Sequence, residues 1–151
     1  MTSLVVGIGN RWRGDDGAGP EVAARVAELG LPGVQVVVQD QPLALLEHLA
    51  DHDEVVVVDA AKRGGPAGRV HVWLVGTAPL PRHRHAVGSH ALGVGEVVEL
   101  ARALGRLPRR LTLVGVEAES FRAGAPLSPA VRTHLDDAVR AVTDALTAAR
   151  T

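Results

Sequence analysis

The chain contains no cysteine. That excludes disulfides, iron–sulfur clusters, thiolate zinc sites and a thiol nucleophile. Tyrosine is also absent, and the aromatics reduce to Trp12, Trp73 and Phe121. So few rings cannot build the stacking platforms of single-strand nucleic-acid binders. Neither sign of charge is in excess. Sixteen basic residues face seventeen acidic ones, for a net charge of -1, and no block or tail carries one sign. Nucleic acid is therefore not an expected partner. No apolar run approaches the roughly 18 residues of a membrane span. The opening MTSLVVGIGN lacks a basic leader region, and its apolar run breaks at Gly7. The expectation is a cytoplasmic protein with no membrane association. What remains is 151 residues, 46% of them hydrophobic. This suits a single domain over 1–151 that folds on its core alone.

Five runs rich in β-branched residues are short enough for strands: Leu4–Ile8, Val34–Val38, Val55–Val58, Val70–Val75 and Leu111–Val116. The first, third and fifth are almost wholly apolar, the pattern of strands covered on both faces by helices. Helical patterns alternate with them. Pro20–Leu29 stops at Gly30, Pro42–Ala50 follows the second strand, His90–Leu104 stops at Gly105, and Pro129–Ala149 starts behind Ser128 as N-cap. The order β-α-β-α-β-β-α-β-α predicts an α/β fold with a mainly parallel five-stranded sheet. Only residues 59–69 join the third strand to the fourth. A parallel crossover needs a dozen or more residues, so the fourth strand is predicted to be an antiparallel edge strand.

In open α/β sheets, ligands bind beyond the carboxyl ends of the parallel strands. The polar residues at those positions are Asn10, Asp15 and Asp16 in GNRWRGDDGAG, Asp40, Asp59 after four valines, and Glu117, Glu119 and Ser120. Ser89 and His90 precede the third helix. Gly7-Ile8-Gly9 opens like a dinucleotide-binding loop, but Trp12 stands where the third glycine is required. Asp15 and Asp16 also lie where a phosphate would meet the helix. Like charges at about 4 Å cost several kcal/mol at a protein-like dielectric, and a cation reverses that sign. Asp16, Asp59 and His90 form a mixed oxygen and nitrogen set suited to nickel, zinc or a similar divalent ion, with positions left open for water or substrate. A structural account also stands for each. Asp16 could stabilise a helix dipole, Asp59 could cap a strand-end turn, and His90 could bond to backbone.

Four segments carry a wider likeness: GIGNRWRGDDGAG at 7–19, VVVVDA at 55–60, SHALGVGEVVELARALG at 89–105 and LTLVGVEAES at 111–120. In these the chain resembles the hydrogenase maturation endopeptidases, the HybD/HycI-like peptidases. The resemblance implies a compact three-layer α/β/α domain. It implies an endopeptidase that removes a C-terminal extension from the precursor of a [NiFe]-hydrogenase large subunit once nickel has been inserted. Nickel would arrive with the substrate, and the family's nickel-recognition residues map onto Asp16, Asp59 and His90. The groove needs no second copy, so a monomer is expected. One segment departs from the family. Many members have an Asp-Gly-Gly-Thr type loop after the second strand, whereas this chain reads QDQPLALLEHL. Asp40 keeps the acidic position, but Pro42 removes an N–H and fixes φ. That change bears on which subunit is served.

Peptide hydrolysis must here proceed without cysteine. There is no G-x-S-x-G elbow, and Ser89 beside His90 in sequence does not make a triad. The nickel could polarise the scissile carbonyl or activate water. Alternatively it could serve recognition alone, with a carboxylate as general base. A non-catalytic nickel-sensing chaperone would use the same three residues, and a nucleotide-dependent α/β enzyme is the remaining alternative. His83 and His85 sit in a cationic PRHRH loop, either solvated or docking an acidic partner surface. Arg82, Arg84, Arg109 and Arg110 could steer a partner. Trp12 either contacts the partner or caps the core. His48, His52, His71 and His134 read as surface or structural.

Overall fold

The computed structural model describes residues 2–76 and 93–148. Five strands form one sheet: β1 (Ser3–Ile8), β2 (Val34–Gln39), β3 (Glu54–Ala61), β4 (Val70–Leu74) and β5 (Arg110–Glu117). Their order is β2-β1-β3-β5-β4. Four run parallel, and β4 pairs antiparallel with β5 at one edge. The short link between β3 and β4 enforces that reversal, as the sequence predicted. The helices are α1 (Ala18–Glu28), α2 (Leu46–Leu49), α3 (Val94–Ala103), α4 (Pro129–Thr133) and α5 (Leu135–Ala148). Two short 3-10 turns precede α1 and α2, at Gly14–Gly17 and Pro42–Leu45.

Strand alternation splits the apolar residues between two faces. On one face, Val5, Val56, Val58, Val114 and Val116 pack against Val22 and Val26 of α1 and against Leu135, Val142 and Leu146 of α5. On the other, Leu4, Val6, Val55, Val57, Leu111 and Leu113 pack against Leu45, Leu49 and Val94, Val97, Val98 and Ala101 of α3. The result is three layers, α/β/α. β1, at the middle of the parallel part, is buried along its whole length. Among the described residues, no helix is long and apolar enough to cross a membrane.

The helices differ from their sequence patterns in three places. The pattern over Pro42–Ala50 resolves into a 3-10 turn and a single α-turn. The last helix breaks at His134 (φ −101°, ψ 7°), dividing α4 from α5. The break coincides with a close approach from another part of the chain. A Cβ on Gly68 would lie 2.5 Å from the Ala130 carbonyl oxygen and 2.7 Å from His134 Cδ2. The third helix starts at Val94 behind Gly93, and residues 90–92 of its expected span lie outside the described residues. Two stops agree with the sequence. Gly30 and Gly105 both take the positive φ that ends a helix most easily with glycine.

Candidate functional site

The first loop leaves β1 at Gly9, whose φ of +143° is a conformation reserved for glycine. A Cβ here would overlap the carbonyl oxygen of Asp16. The chain therefore folds back until the 3-10 turn at Gly14–Gly17 rests on the end of β1. Asp16 is buried there, and its Oδ2 accepts the Asn10 N–H at 2.9 Å. Two more glycines bring the following helix equally close. Gly7 lies against Gly19, and a Cβ on Gly19 would lie 2.6 Å from the carbonyl oxygen of Val58. The start of α1 is thus pressed onto the ends of β1 and β3 together. Asp59 is the residue after Val58.

The two neighbouring aspartates of this loop do different work. Asp15 is fully buried and saturated with donors. Oδ1 accepts the Ser128 N–H at 2.7 Å. Oδ2 accepts from Glu119 N–H at 2.8 Å, Ser120 N–H at 3.2 Å and Ser128 Oγ at 2.9 Å. It ties the first loop to the loop after β5. The like-charge repulsion expected between the pair is thus relieved at Asp15 by backbone and hydroxyl donors. Ser128 sits at the N-terminus of α4 with extended backbone, but makes no side-chain cap to that helix. Its hydroxyl is given to Asp15 instead.

Asp59 lies on β3 beside Gly115 of β5. By alternation it continues the face of Val55 and Val57, which is the face covered by α3. It is half-buried, with Oδ1 out of contact with solvent. Asp16 and Asp59 are therefore brought to the carboxyl ends of adjacent parallel strands. His90, Ser89, His83, His85, Arg82 and Arg84 lie outside the described residues. Among the described residues, no cluster of three or more His, Cys, Asp or Glu is arranged to hold a metal ion.

Next to Asp59 is a cluster built on Glu117, which the sequence placed at a strand end without a catalytic role. Glu117, at the end of β5, is 2% exposed. Its Oε2 accepts the Arg63 N–H at 2.6 Å, and its Oε1 lies 3.8 Å from His71 Nε2. Arg63 lies over the Trp73 ring, 4.5 Å from its centroid, and His71 stacks on the same ring. Burial pushes the Arg63 guanidinium below its ordinary pKa, while the charges of Asp59 and Glu117 pull it back up. Two signals for this group were present in the sequence. A glycine at 115 within an otherwise bulky strand marks a close approach. Strand periodicity also puts Glu117 and Gly115 on one face.

The rim is exposed. Trp12 is 79% accessible, which settles its reading against a core cap. Its backbone is nonetheless held, its N–H donating to Asn10 Oδ1 and its carbonyl accepting from Gly124 N–H. Asp40 and Glu119 are exposed, as is Leu43. Two carboxylates at the carboxyl end of a parallel sheet are hard oxygen donors of the kind that suit a divalent cation.

Comparison with known proteins agrees in chain and in shape. A family model described as hydrogenase maturation protease matches residues 25–145. The chain is 28% identical over 152 residues to the Hydrogenase 2 maturation protease of Escherichia coli K12, covering 97% of this chain and 91% of that protein. It is 32% identical over 142 residues to the hydrogenase expression/formation protein HupD of Rhodobacter capsulatus, covering 90% and 67%. The fold matches the solution structure of an endopeptidase from Escherichia coli with a TM-score of 0.82 at 26% identity, covering 99% of this chain and 94% of that one.

Proposed function

Because the chain belongs to the hydrogenase maturation protease family, and is a peptidase of that family, we propose that it removes the C-terminal extension of a [NiFe]-hydrogenase large-subunit precursor loaded with nickel. Asp16, Asp59 and His90 recognise the nickel, which is cargo of the substrate. The observation that supports this reading most is the position of buried Asp16 and half-buried Asp59 at the carboxyl ends of the adjacent parallel strands β1 and β3. The glycine contacts that seat the first loop support it, because they fix Asp16 through main chain rather than through a flexible side chain.

The donor chemistry gives a checkpoint. This chain has no thiolate to offer, so its own hold on nickel is weak. The precursor's thiolates supply soft ligands, and the carboxylates and imidazole supply harder ones. Coordination is completed only in the complex, so an unloaded precursor binds poorly. The reaction is hydrolysis. Water adds to the scissile carbonyl carbon, the C–N bond breaks, and the leaving amine takes a proton. The protein acts as a single-domain monomer in the cytoplasm.

The test is incubation with nickel-loaded and nickel-free precursor, followed by intact mass of the large subunit. A discrete C-terminal loss from the loaded form alone is expected. A stable complex without mass change would replace the peptidase by a holding chaperone, and equal cleavage of both forms would remove nickel from the recognition.

A further inference from the structure

Arg63 follows Asp59 by four residues, in the link between β3 and β4. That link is wrapped around Glu117. The Glu117 side chain takes the Arg63 N–H, and its backbone accepts from Gly68 N–H at 2.7 Å and donates to the Arg69 carbonyl at 2.8 Å. Gly65 passes so close that a Cβ would lie 3.3 Å from Glu117 Oε1. These contacts deliver the Arg63 side chain back onto the sheet. Its guanidinium lies over Gly115, with Nη1 3.6 Å from where a Cβ would stand. Gly115 is the register partner of Asp59 on one side and of His71 on the other. The guanidinium thus occupies the gap beside Asp59, stacked on Trp73.

Its donors are not used up. Nε and Nη1 are buried and have no hydrogen-bond partner among the described residues. A buried donor without an acceptor is costly, and a charged one more so. Each such group in a native structure calls for an explanation, and a catalytic role is one of them. We propose that Arg63 is a catalytic residue whose guanidinium donates, through Nη2, the nitrogen that is not enclosed, to the carbonyl oxygen of the scissile peptide bond. This rests on the peptidase reading above. As the water oxygen bonds to the carbonyl carbon, the C=O pair moves onto the oxygen that faces Arg63. The pair returns as the C–N bond breaks, and the amine departs with a proton that came from the water. Arg63 stays protonated throughout. The Trp73 face and the Glu117-bound backbone hold the guanidinium before substrate arrives, which is the condition for stabilising developing charge without reorganisation.

The experiment is steady-state cleavage of nickel-loaded precursor at varied precursor concentration. Arg63→Met keeps the stem against Trp73 and Gly115. Its kcat is expected to fall by about 10²–10³-fold, with KM little changed because ground-state binding is untouched. Arg63→Lys keeps the charge but loses the planar fork, and regains only part of the rate. Arg63→Ala regains rate saturably when guanidinium ion is added. A wild-type kcat in Arg63→Met, or an effect confined to KM, overturns the role. So does an Arg63→Ala enzyme indifferent to guanidinium. Near-UV circular dichroism checks folding. Should Arg63→Met not fold, Arg63→Lys decides, and a wild-type kcat there overturns the role. Wild-type protein that leaves the precursor whole overturns the peptidase reading and this role with it. Wild-type cleavage equalled by Arg63→Met overturns the role of Arg63 alone.

Discussion

The two ends of the sheet both bury carboxylates, and treat them differently. At the amino end, Glu54 opens β3 with no exposure at all. Ser3 Oγ donates to its Oε1 at 3.0 Å, and Arg110 Nε stands 3.7 Å from its Oε2. Both partners are register neighbours on adjacent strands. At the carboxyl end the buried and half-buried acidic groups are Asp15, Asp16, Asp59 and Glu117, and Arg63 lies within the charge fields of two of them. Two of those four are structural. Asp15 ties loops together, and Glu117 shapes the turn after β3. The other two, Asp16 and Asp59, face the end where ligands collect in such sheets. A buried acid alone therefore says little; what donates to it and which strand end it occupies decide its work.

The largest effect is expected at the proposed nickel-recognition pair. Asp16→Asn and Asp59→Asn are expected to lower processing by more than about a hundredfold, since even outer-shell partners of a metal ligand are worth 10–100-fold. Both variants should keep the circular dichroism of the wild type. Normal processing by either would strike that residue from the site. Asp15→Ala should act in the opposite sense, on stability. It strands three backbone N–H groups and a hydroxyl, and a loss of roughly 3–5 kcal/mol is expected in urea unfolding. A loss under about 1 kcal/mol would show that water replaces the carboxylate freely. The smallest effect belongs to the amino end. Glu54→Gln should cost about 1–2 kcal/mol in the same measurement and leave the cleavage rate of the folded protein unchanged. A cleavage defect at full folding would erase the distinction between the two ends.

Much of this was readable before any coordinates. The strands declared themselves because buried parallel strands need unbroken β-branched runs, and the short 59–69 segment dictated the antiparallel edge. Asp16 and Asp59 emerged from the position rule for strand ends rather than from any local motif. The break at His134 was hidden because α4 and α5 share one amphipathic pattern, and the residue crowding it, Gly68, is more than sixty positions away. Ser128 reads locally as a helix cap, but Asp15 competes for its hydroxyl from 113 residues away. Arg63 was missed for the same kind of reason. Nothing in AAKRGG announces that its side chain will be folded over Gly115, because that depends on strand register between distant segments.

The glycines at 7, 9 and 19 carry one more implication. They leave the first loop no slack, since main chain meets main chain at each of them. Descendants of this protein cannot lengthen or shorten the reach of Asp16 by small steps, as every enlargement at these positions collides with backbone that has nowhere to go. Adaptation to a different precursor is channelled outward, to residues such as Trp12 and Leu43 that can change without disturbing what lies beneath them.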